Sequence, residues 1–381
     1  MSIQLPGFRL GIVGGGQLGR MLAIEARRLG IRSVALDPAE FPPVLGMADL
    51  TIRGSLQDPV ALQQLALQSD VMTYEIEHIN TKALQELESG GTRLAPRPTL
   101  LEIIQDKLIQ KQFLYGHGLP VPPFRSLPAA DVGSFRPAAY PFVQKAREGG
   151  YDGRGVVIIR DESALSSLMP IDSMVEDFVP CAKELAVLVA RGQDGAVAVY
   201  PVTEMVFDPV SQICNSVCAP ARISPALAEE ATAIAIAAIK ALEGTGIFAV
   251  ELFLTENGRI MINEIAPRPH NSGHWTIEGA VTNQFEQHIR AVCGLPLGDA
   301  GLLRPSVTVN LLGAAGAQGQ PVIIGAPEAL AIPGLKLHWY QKRQVATQRK
   351  MGHFTVCHPD LDQALAWADQ AASWLSVQGS N

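Results

Sequence analysis

The sequence has few of the features that adapt a chain to membranes or nucleic acids. Its longest apolar run, residues 231–242, is too short to span a bilayer and is interrupted by Thr232 and Lys240. The formal net charge of −7 argues against general polyanion binding, so an anionic substrate must meet local cations. The opening segment, MSIQLPGFRL, lacks the layout of a signal peptide. We therefore expect a soluble cytoplasmic protein that binds neither membranes nor nucleic acids.

Cysteine is also scarce, with five scattered residues in a chain of 381. Cys214 and Cys218 have no second ligand pair that would complete a structural zinc site, so reduced thiols are expected. A content of 47% apolar and 18% charged residues is that of a globular protein, and the length suggests two or three domains.

A glycine-rich turn follows the first apolar run. Residues 9–14 are predicted to be a strand, residues 14–19 (GGGQLG) lead into a helix, and a second strand over residues 33–36 ends at Asp37. These elements match the dinucleotide-binding fingerprint, which alone would suggest NAD. However, glycines at a helix N-terminus expose N–H groups that bind any phosphate. We predict that this turn binds the phosphate of a small substrate.

The next segments predict the division of the chain. Residues 70–76 read as a further strand, which bears Glu75 and Glu77, and the character of the sequence changes after residue 104. The predicted fold is α/β and α+β, with a Rossmann-like open parallel sheet first, then a small lid, then a larger domain. The predicted parts are residues 1–104, 105–180 and 181–381.

A second glycine-rich segment, residues 147–155, lies between two predicted strands. Its four glycines and two arginines favour a mobile basic loop that folds over phosphates, although an ordinary hairpin loop is the alternative. Before it, residues 106–113 are predicted to be a helix with lysines on one side. Residues 182–190 and 196–202 are predicted to be paired strands, and residues 221–244 an alanine-rich helix.

Two apolar-rich strands flank Asn257-Gly258, the dipeptide typical of a two-residue type I′ hairpin turn. Counting outward from that turn places Glu251 directly opposite Glu264. Two partly buried carboxylates at this separation repel each other unless one is protonated or a cation lies between them. The sequence therefore predicts a Mg²⁺ site shared with substrate phosphates, and a solvated pair of glutamates is the alternative.

The segment after this hairpin contains many polar and cationic residues. Arg268, His270, Asn271, His274 and Trp275 lie within eight residues, on backbone that two prolines hold extended. This density favours an anion-binding loop beside the metal.

Motifs along nearly the whole chain resemble those of the ATP-grasp carboxylases of bacterial purine synthesis. They are GGGQLGRM, DKLIQKQF, GGYDGRG, EDFVP, AVELF, NEIAPRPHNSGHWT, QFEQH, LHWYQK and RKMGH. The resemblance implies a three-domain ATP-grasp fold and carbon–nitrogen ligase activity on aminoimidazole ribonucleotide, bicarbonate and ATP. It also implies a carboxyphosphate intermediate, a requirement for Mg²⁺, a homodimer, and hand-off of the product to a mutase. Neither biotin nor NAD is expected.

The resemblance assigns roles to individual residues. Those implied to bind ATP are Lys107, Lys145, Gly150, Tyr151, Asp152, Gly153, Arg154, Gly155, Glu176, Asp177, Phe178, Val179, Glu184, Asn263 and Glu264. Those implied to hold Mg²⁺ are Glu251 and Glu264, and those implied to contact bicarbonate and carboxyphosphate are Arg268, His270 and Asn271. Those implied or predicted to surround the ribonucleotide are Gly16, Gln17, Leu18, Glu75, Tyr151, Arg154, Lys342 and Arg349. We expect the C-terminal segment to fold back so that its cations reach this ligand.

Two positions remain difficult to assign. Strand alternation would point Asn263 away from Glu264, and Phe207 stands where the family often has a histidine near the nucleotide. Residues 207–218, with Cys214 and Cys218, are also unusual.

Other functions account for less of the sequence. A nicotinamide dehydrogenase would explain the glycine turn but gives the glutamate hairpin no purpose. A non-catalytic nucleotide-binding regulator should have lost its acid–base groups, which are intact here. Within the ATP-grasp class, a formate-dependent ribonucleotide transformylase or a biotin-dependent relative is the alternative.

Overall fold

The first part of the chain forms an open sheet of four parallel strands. The computed structural model describes residues 7–150, 155–208 and 213–380. The strand order is β3-β2-β1-β4, which confirms the predicted open parallel sheet. Its elements are β1 (Arg9–Val13), α1 (Gln17–Arg28), β2 (Arg32–Asp37), β3 (Leu50–Arg53), α2 (Pro59–Leu67), β4 (Val71–Tyr74), α3 (Thr81–Ser89) and α4 (Pro98–Gln105).

Sequence accounts for the limits of these elements. Strands β1 and β4 are buried along almost their whole length, as expected when helices cover both faces of a parallel sheet. Helices α2 and α3 start after Asp58 and Asn80, whose side chains accept the N–H groups of Val60 and Ala83.

A small antiparallel sheet follows, and its order is β5-β8-β6-β7. Its core contains Leu127, Phe142, Ile159 and Val175. The elements of this part are α5 (Lys107–Gly116), β5 (Phe124–Leu127), β6 (Phe142–Ala146), β7 (Val156–Ile159) and β8 (Ser173–Asp177).

A large antiparallel sheet occupies most of the remaining chain. Its strands run in the order β14-β13-β9-β11-β12-β15-β19-β17, and β10 pairs with β9, as predicted for these two segments. The elements up to residue 293 are β9 (Cys181–Arg191), β10 (Val197–Val199), β11 (Thr203–Phe207), β12 (Cys214–Ala219), α6 (Pro225–Leu242), β13 (Gly246–Thr255), β14 (Ile260–Ala266), α7 (Thr276–Gly279) and α8 (Gln284–Cys293). Helix α6 is the predicted alanine-rich helix, and its apolar face packs on β9 and β13.

The last part adds strands to the large sheet and forms a small one of its own, in the order β18-β16-β20. The elements are β15 (Ser306–Leu312), β16 (Gln318–Ile324), α9 (Ala326–Leu330), β17 (Leu335–Trp339), β18 (Val345–Ala346), β19 (Lys350–Cys357), α10 (Leu361–Trp374) and β20 (Ser376–Ser380). None of the helices in the described residues is long and apolar enough to cross a membrane.

The C-terminal segment folds back onto the first sheet, as we expected. Tyr340 is 1% exposed and belongs to the same core as Leu10 and Ile12 of β1. Three residues later, the Arg343 guanidinium lies 3.4 Å from the centre of the Phe41 ring.

The turn of the β13–β14 hairpin differs from our prediction. A type I′ turn requires positive φ at both central residues, but only Gly258 (φ 80°) has it, and Asn257 does not. The Thr255 N–H donates to the Arg259 carbonyl at 2.8 Å, which closes a loop of one more residue than predicted. The type I′ prediction is therefore wrong.

A second irregularity restores the predicted pairing further along the hairpin. Leu252 faces Ile262 and Glu251 faces Glu264, so Asn263 is the extra residue of a β-bulge. The longer loop and the bulge shift the register in opposite senses. The opposed glutamates are thus confirmed, although the geometry that produces them was not predicted.

Candidate active site

The opposed glutamates lie in a cleft with the side chains of Lys107 and His270. The side chain of Glu251 is 12% exposed, and that of Glu264 is 38% exposed. The Lys107 ammonium forms an ion pair with Glu264, and His270 Nε2 lies 3.3 Å from Glu251 Oε1. Burial and repulsion from Glu264 raise the pKa of Glu251, whereas Lys107 outweighs burial and holds the pKa of Glu264 below its ordinary value. The pair is therefore polarised, and a cation placed between its members would relieve the repulsion.

The bulge brings Asn263 into this cleft. In a regular strand Asn263 and Glu264 would point to opposite faces, but here both are partly exposed and adjacent. Lys145 Nζ donates to Asn263 Oδ1 at 2.8 Å. The expectation that Asn263 points away from the site is wrong, because the bulge interrupts the alternation.

Lys145 also belongs to a buried ion cluster. Glu176 Oε1 lies 2.7 Å from Lys111 Nζ, and Glu176 Oε2 lies 2.7 Å from Lys145 Nζ. Burial lowers the pKa of Lys111 to about 8, while the two ammonium groups outweigh burial and lower the pKa of Glu176. Both oxygens of the Glu176 carboxylate therefore contact lysines of the protein, so only the backbone of Glu176 is available to a nucleotide base. Lys111 lies one helical turn after Lys107 in DKLIQKQF, and this spacing was the signal that could have singled it out.

The remaining candidate nucleotide residues follow β8 or lie on β9. Asp177 is exposed, Phe178 and Val179 are half-buried, and all three are at the end of β8. Burial raises the pKa of Glu184 to about 7, and Glu264 and Lys145 both act on its carboxyl. Glu184 therefore faces the cleft, as a residue near the nucleotide should.

Only the ends of the glycine-rich loop fall within the described residues. Gly150 ends one described range, and Gly155, with φ 74°, begins the next. The candidates outside the described residues are Tyr151, Asp152, Gly153 and Arg154.

Arg268 is held by a carboxylate that sequence reasoning did not assign. Arg268 Nε lies 2.8 Å from Glu77 Oε1, and Arg268 Nη2 donates to Glu77 Oε2 at 3.0 Å. Such a two-point pair fixes the plane of the guanidinium. Glu77 comes from the loop after β4, so this contact joins the first sheet to the segment after β14. A single glutamate in a loop carries no local signal of such a distant partner.

The segment after Arg268 directs two polar groups. His270 Nδ1 accepts a hydrogen bond from the Ser272 N–H at 3.3 Å and lies 2.9 Å from Ser272 Oγ, so its Nε2 is directed at Glu251. Asn271 Oδ1 is buried and has no hydrogen-bond partner among the described residues. An unpaired buried carbonyl oxygen suits a cation or a donor group of a bound ligand.

The N-terminal glycine turn is occupied by carboxylates of the protein itself. The Gly15 N–H donates to Asp37 Oδ2 at 2.8 Å, and the Gly16 N–H donates to Glu75 Oε1 at 2.6 Å. Our premise that the turn offers free N–H groups is therefore wrong for these two glycines. Burial raises the pKa of Glu75 to about 7, although the Gly16 N–H and Arg268 oppose this shift. Helix α1 begins at Gln17, so the N–H groups of Gln17 and Leu18 lie in its first turn.

The C-terminal cations lie on the segment that folds back. Lys342 Nζ donates to the Lys350 carbonyl at 2.7 Å and lies 5.7 Å from the centre of the Tyr340 ring. Arg349 is exposed and donates to the Gln344 carbonyl at 2.7 Å.

Phe207 closes β11, where it pairs with Cys214 of β12 across a register shift. It packs partly buried against the core that contains Ala186 and Leu188. Cys214 and Cys218 are buried, and neither forms a disulfide with another cysteine of the described residues.

Comparison with known proteins extends over the whole chain. It is 40% identical to the chloroplastic phosphoribosylaminoimidazole carboxylase of Vigna aconitifolia over 91% of this chain, but spans only 63% of that protein's length. It is 39% identical to the N5-carboxyaminoimidazole ribonucleotide synthase of Synechococcus elongatus, over 92% of this chain and 90% of that one.

Solved structures agree with these relatives. The N5-carboxyaminoimidazole ribonucleotide synthetase of Thermotoga maritima is 46% identical, with a TM-score of 0.90 over 98% of this chain and 100% of that one. A structure of the Aspergillus clavatus synthase in complex with ADP and 5-aminoimidazole ribonucleotide is 35% identical, with a TM-score of 0.87 over 96% of this chain and 98% of that one.

Family models divide the chain into three matched parts. They are the ribonucleotide synthetase preATP-grasp domain over residues 8–105, the ATP-grasp domain over 112–285, and the phosphoribosylaminoimidazole carboxylase C-terminal domain over 306–366. Together with the glutamate pair and the buried lysines, these matches define an ATP-grasp ligase. Within that class, the chain belongs to the N5-carboxyaminoimidazole ribonucleotide synthase family.

Proposed function

We propose that the protein carboxylates 5-aminoimidazole ribonucleotide with bicarbonate and ATP, and releases ADP and phosphate. The product is N5-carboxyaminoimidazole ribonucleotide, an intermediate of purine biosynthesis. The observation that supports this most is the convergence of three groups in one cleft. The opposed Glu251 and Glu264 suit a divalent cation. The lysines at positions 107 and 145 suit phosphates, and the segment from Arg268 to His270 suits a small anion.

The residues of the cleft fit a magnesium ion. Glu251 and Glu264 would hold it, because they oppose each other and the proximity of Glu264 raises the pKa of Glu251. Two carboxylates leave room for substrate phosphates and water in an octahedral shell. When bound, Mg²⁺ would neutralise charge that develops on the transferred phosphoryl group.

The proposed first step is transfer of the γ-phosphoryl group to bicarbonate. A bicarbonate oxygen attacks phosphorus, the bond to ADP breaks, and carboxyphosphate forms. Lys107 and Lys145 offset negative charge on the phosphates, and the glycine-rich loop would cover them. Arg268, whose plane Glu77 fixes and whose Nη1 donates to the Pro269 carbonyl at 3.1 Å, would offer its remaining N–H groups to the carboxylate-like end.

The proposed second step joins carbon to nitrogen. The amine of the ribonucleotide attacks the carbonyl carbon of carboxyphosphate, or CO₂ released from it, and inorganic phosphate leaves. The amine proton must also leave, and the departing phosphate takes it up. Because the Ser272 N–H donates to His270 Nδ1, the Nε2–H of His270 faces the cleft and can donate to the oxygen that gains negative charge during the attack. Water must be excluded until attack, since carboxyphosphate hydrolyses.

The ribonucleotide would lie between the first sheet and the C-terminal segment. Glu75 suits the ribose hydroxyls, and the N–H groups of Gln17 and Leu18 suit the 5′-phosphate at the start of α1. Lys342 and Arg349 belong to the segment that packs on the first sheet.

We further propose that the protein is a cytoplasmic homodimer of three domains. Its product is a labile carbamate, so we propose that a mutase takes it up directly.

Phosphate release tests this function. With ATP and Mg²⁺, we expect release to require bicarbonate and to rise when 5-aminoimidazole ribonucleotide is added, with stoichiometric carboxylated product. Formate replaces bicarbonate in a parallel reaction. Release that depends on formate and not on bicarbonate would identify a transformylase and overturn the proposal.

A further inference from the structure

One buried glutamine contacts both backbone groups of His270. The His270 N–H donates to Gln284 Oε1 at 2.9 Å, and Gln284 Nε2 donates to the His270 carbonyl at 2.8 Å. Gln284 is 0% exposed. We propose that Gln284 is a positioning residue, which fixes the peptide of His270 so that the imidazole stays directed at Glu251. This inference rests on the proposed function, in which His270 Nε2–H faces the reacting groups.

The surroundings of Gln284 hold its carboxamide in place. Its own N–H donates to Thr276 Oγ1 at 2.9 Å, and Nε2 also lies 3.2 Å from His274 Nδ1. A Cβ atom on Gly273 would lie 2.4 Å from Gln284 Oε1, so the carboxamide fills the space that a side chain at position 273 would need. Residues 270–276 are therefore packed around this glutamine.

The orientation of His270 follows from its two hydrogen bonds to Gln284. The backbone N–H and the carbonyl of His270 are both hydrogen-bonded to one carboxamide. The backbone at this residue therefore cannot rotate without breaking two buried hydrogen bonds. Ser272 then determines the tautomer, because its N–H donates to His270 Nδ1 and leaves the proton on Nε2. Ser272 lies two residues after His270, so this hydrogen bond depends on the backbone course that Gln284 fixes, and loss of the Gln284 contacts should release the tautomer as well.

Helix α8, which carries Gln284, also provides a matched control. Gln287 is also 0% exposed, its Nε2 donates to the Gly298 carbonyl at 2.8 Å, and its Oε1 accepts the Gly298 N–H at 2.7 Å. It makes the same two-point contact with a loop that contributes no candidate site residue. Replacement of either glutamine by methionine removes two backbone hydrogen bonds and keeps the side-chain volume.

The experiment compares Gln284→Met with Gln287→Met. We expect both to lower Tm similarly, but only Gln284→Met to lower kcat, by about a hundredfold, because a small displacement of a reacting group has an effect of this size. The KM for ATP and the calorimetric Kd for ADP should not change, because the residues near ATP are not held by Gln284. Gly273→Ala, which displaces the same carboxamide, should reproduce the loss of kcat and provides a second route if Gln284→Met does not fold.

A second measurement does not depend on turnover. In protein labelled with ¹⁵N-histidine, the His270 signal, identified by its absence from His270→Asn, should show the Nε2–H tautomer in the wild type and in Gln287→Met. Gln284→Met should show a mixture of tautomers. An equal loss of kcat in both methionine variants, or an unchanged kcat and tautomer in Gln284→Met, would overturn the inference. A wild type without bicarbonate-dependent phosphate release would instead refute the proposed function, while the tautomer comparison still tests the role of Gln284.

Discussion

The buried carboxylate of Glu75 should make the protein less stable as the pH rises. Its pKa is raised from 4.5 to about 7 in the folded protein, chiefly by burial. Between these values the folded state keeps a proton that the unfolded state has lost, so the free energy of unfolding falls by about 1.4 kcal/mol per pH unit. Between pH 5 and pH 8 the loss due to this one group amounts to about 2.5 kcal/mol.

Glu75→Gln removes the titration and keeps the shape. The amide oxygen of glutamine can still accept the Gly16 N–H that now donates to Glu75 Oε1. We expect the stability of the variant relative to the wild type to be more favourable at pH 8 than at pH 5 by about 2.5 kcal/mol. Because only the difference between two proteins is compared, contributions of other titrating groups cancel.

Urea unfolding followed by circular dichroism at the two pH values provides the measurement. Glu86→Gln, which neutralises an exposed carboxylate of α3 in the same part of the chain, is the control. A relative stability of Glu75→Gln that is the same at pH 5 and pH 8 would show that Glu75 does not titrate in this range, and the reasoning from its burial would be wrong.

Three further substitutions test the site. Glu264→Gln should abolish turnover by weakening binding of Mg²⁺ and ATP with little loss of stability, and near-normal activity at low Mg²⁺ would contradict the metal assignment. Arg268→Lys should lose most activity at unchanged ATP affinity, because lysine cannot form the two-point pair with Glu77; a collapse of ATP affinity measured by calorimetry would make Arg268 a nucleotide residue instead. Gly16→Val should strongly raise the KM for the ribonucleotide and leave that for ATP unchanged, since its Cβ would lie 2.7 Å from Glu75 Oε1; saturable NADH binding to the wild type, competed by the ribonucleotide, would contradict this assignment of the turn.

In the β13–β14 hairpin, the glutamate pair could be predicted from the sequence, whereas the turn and the bulge could not. The opposition of Glu251 and Glu264 is confirmed, but it arises because the longer loop and the bulge shift the register in opposite senses. The turn itself was wrong because Asn257-Gly258 also suits a longer loop in which glycine alone needs positive φ. The bulge could not be predicted, since Asn263 has a partner, Lys145, that is distant in the chain.

The other contacts that could not be predicted from the sequence also join residues that are distant in the chain. Glu77 and Arg268 are 191 residues apart in the chain, and Lys111 contacts Glu176 of another element. The occupied glycine turn has the same cause, because the carboxylates that accept its N–H groups end or follow neighbouring parallel strands. Local patterns identify which residues carry chemistry, whereas the pairing of buried charges depends on the completed fold.

The contacts of Lys145 affect how nucleotide affinity should be interpreted. Its ammonium contacts Glu176 and the Asn263 side chain, one from the small sheet and one from the large sheet. Phosphate would therefore exchange with oxygen atoms of the protein and would not meet a cation surrounded only by water. The measured affinity for ATP is then the difference between two sets of contacts, so a substitution at Asn263 can strengthen nucleotide binding by weakening the set that the nucleotide must replace.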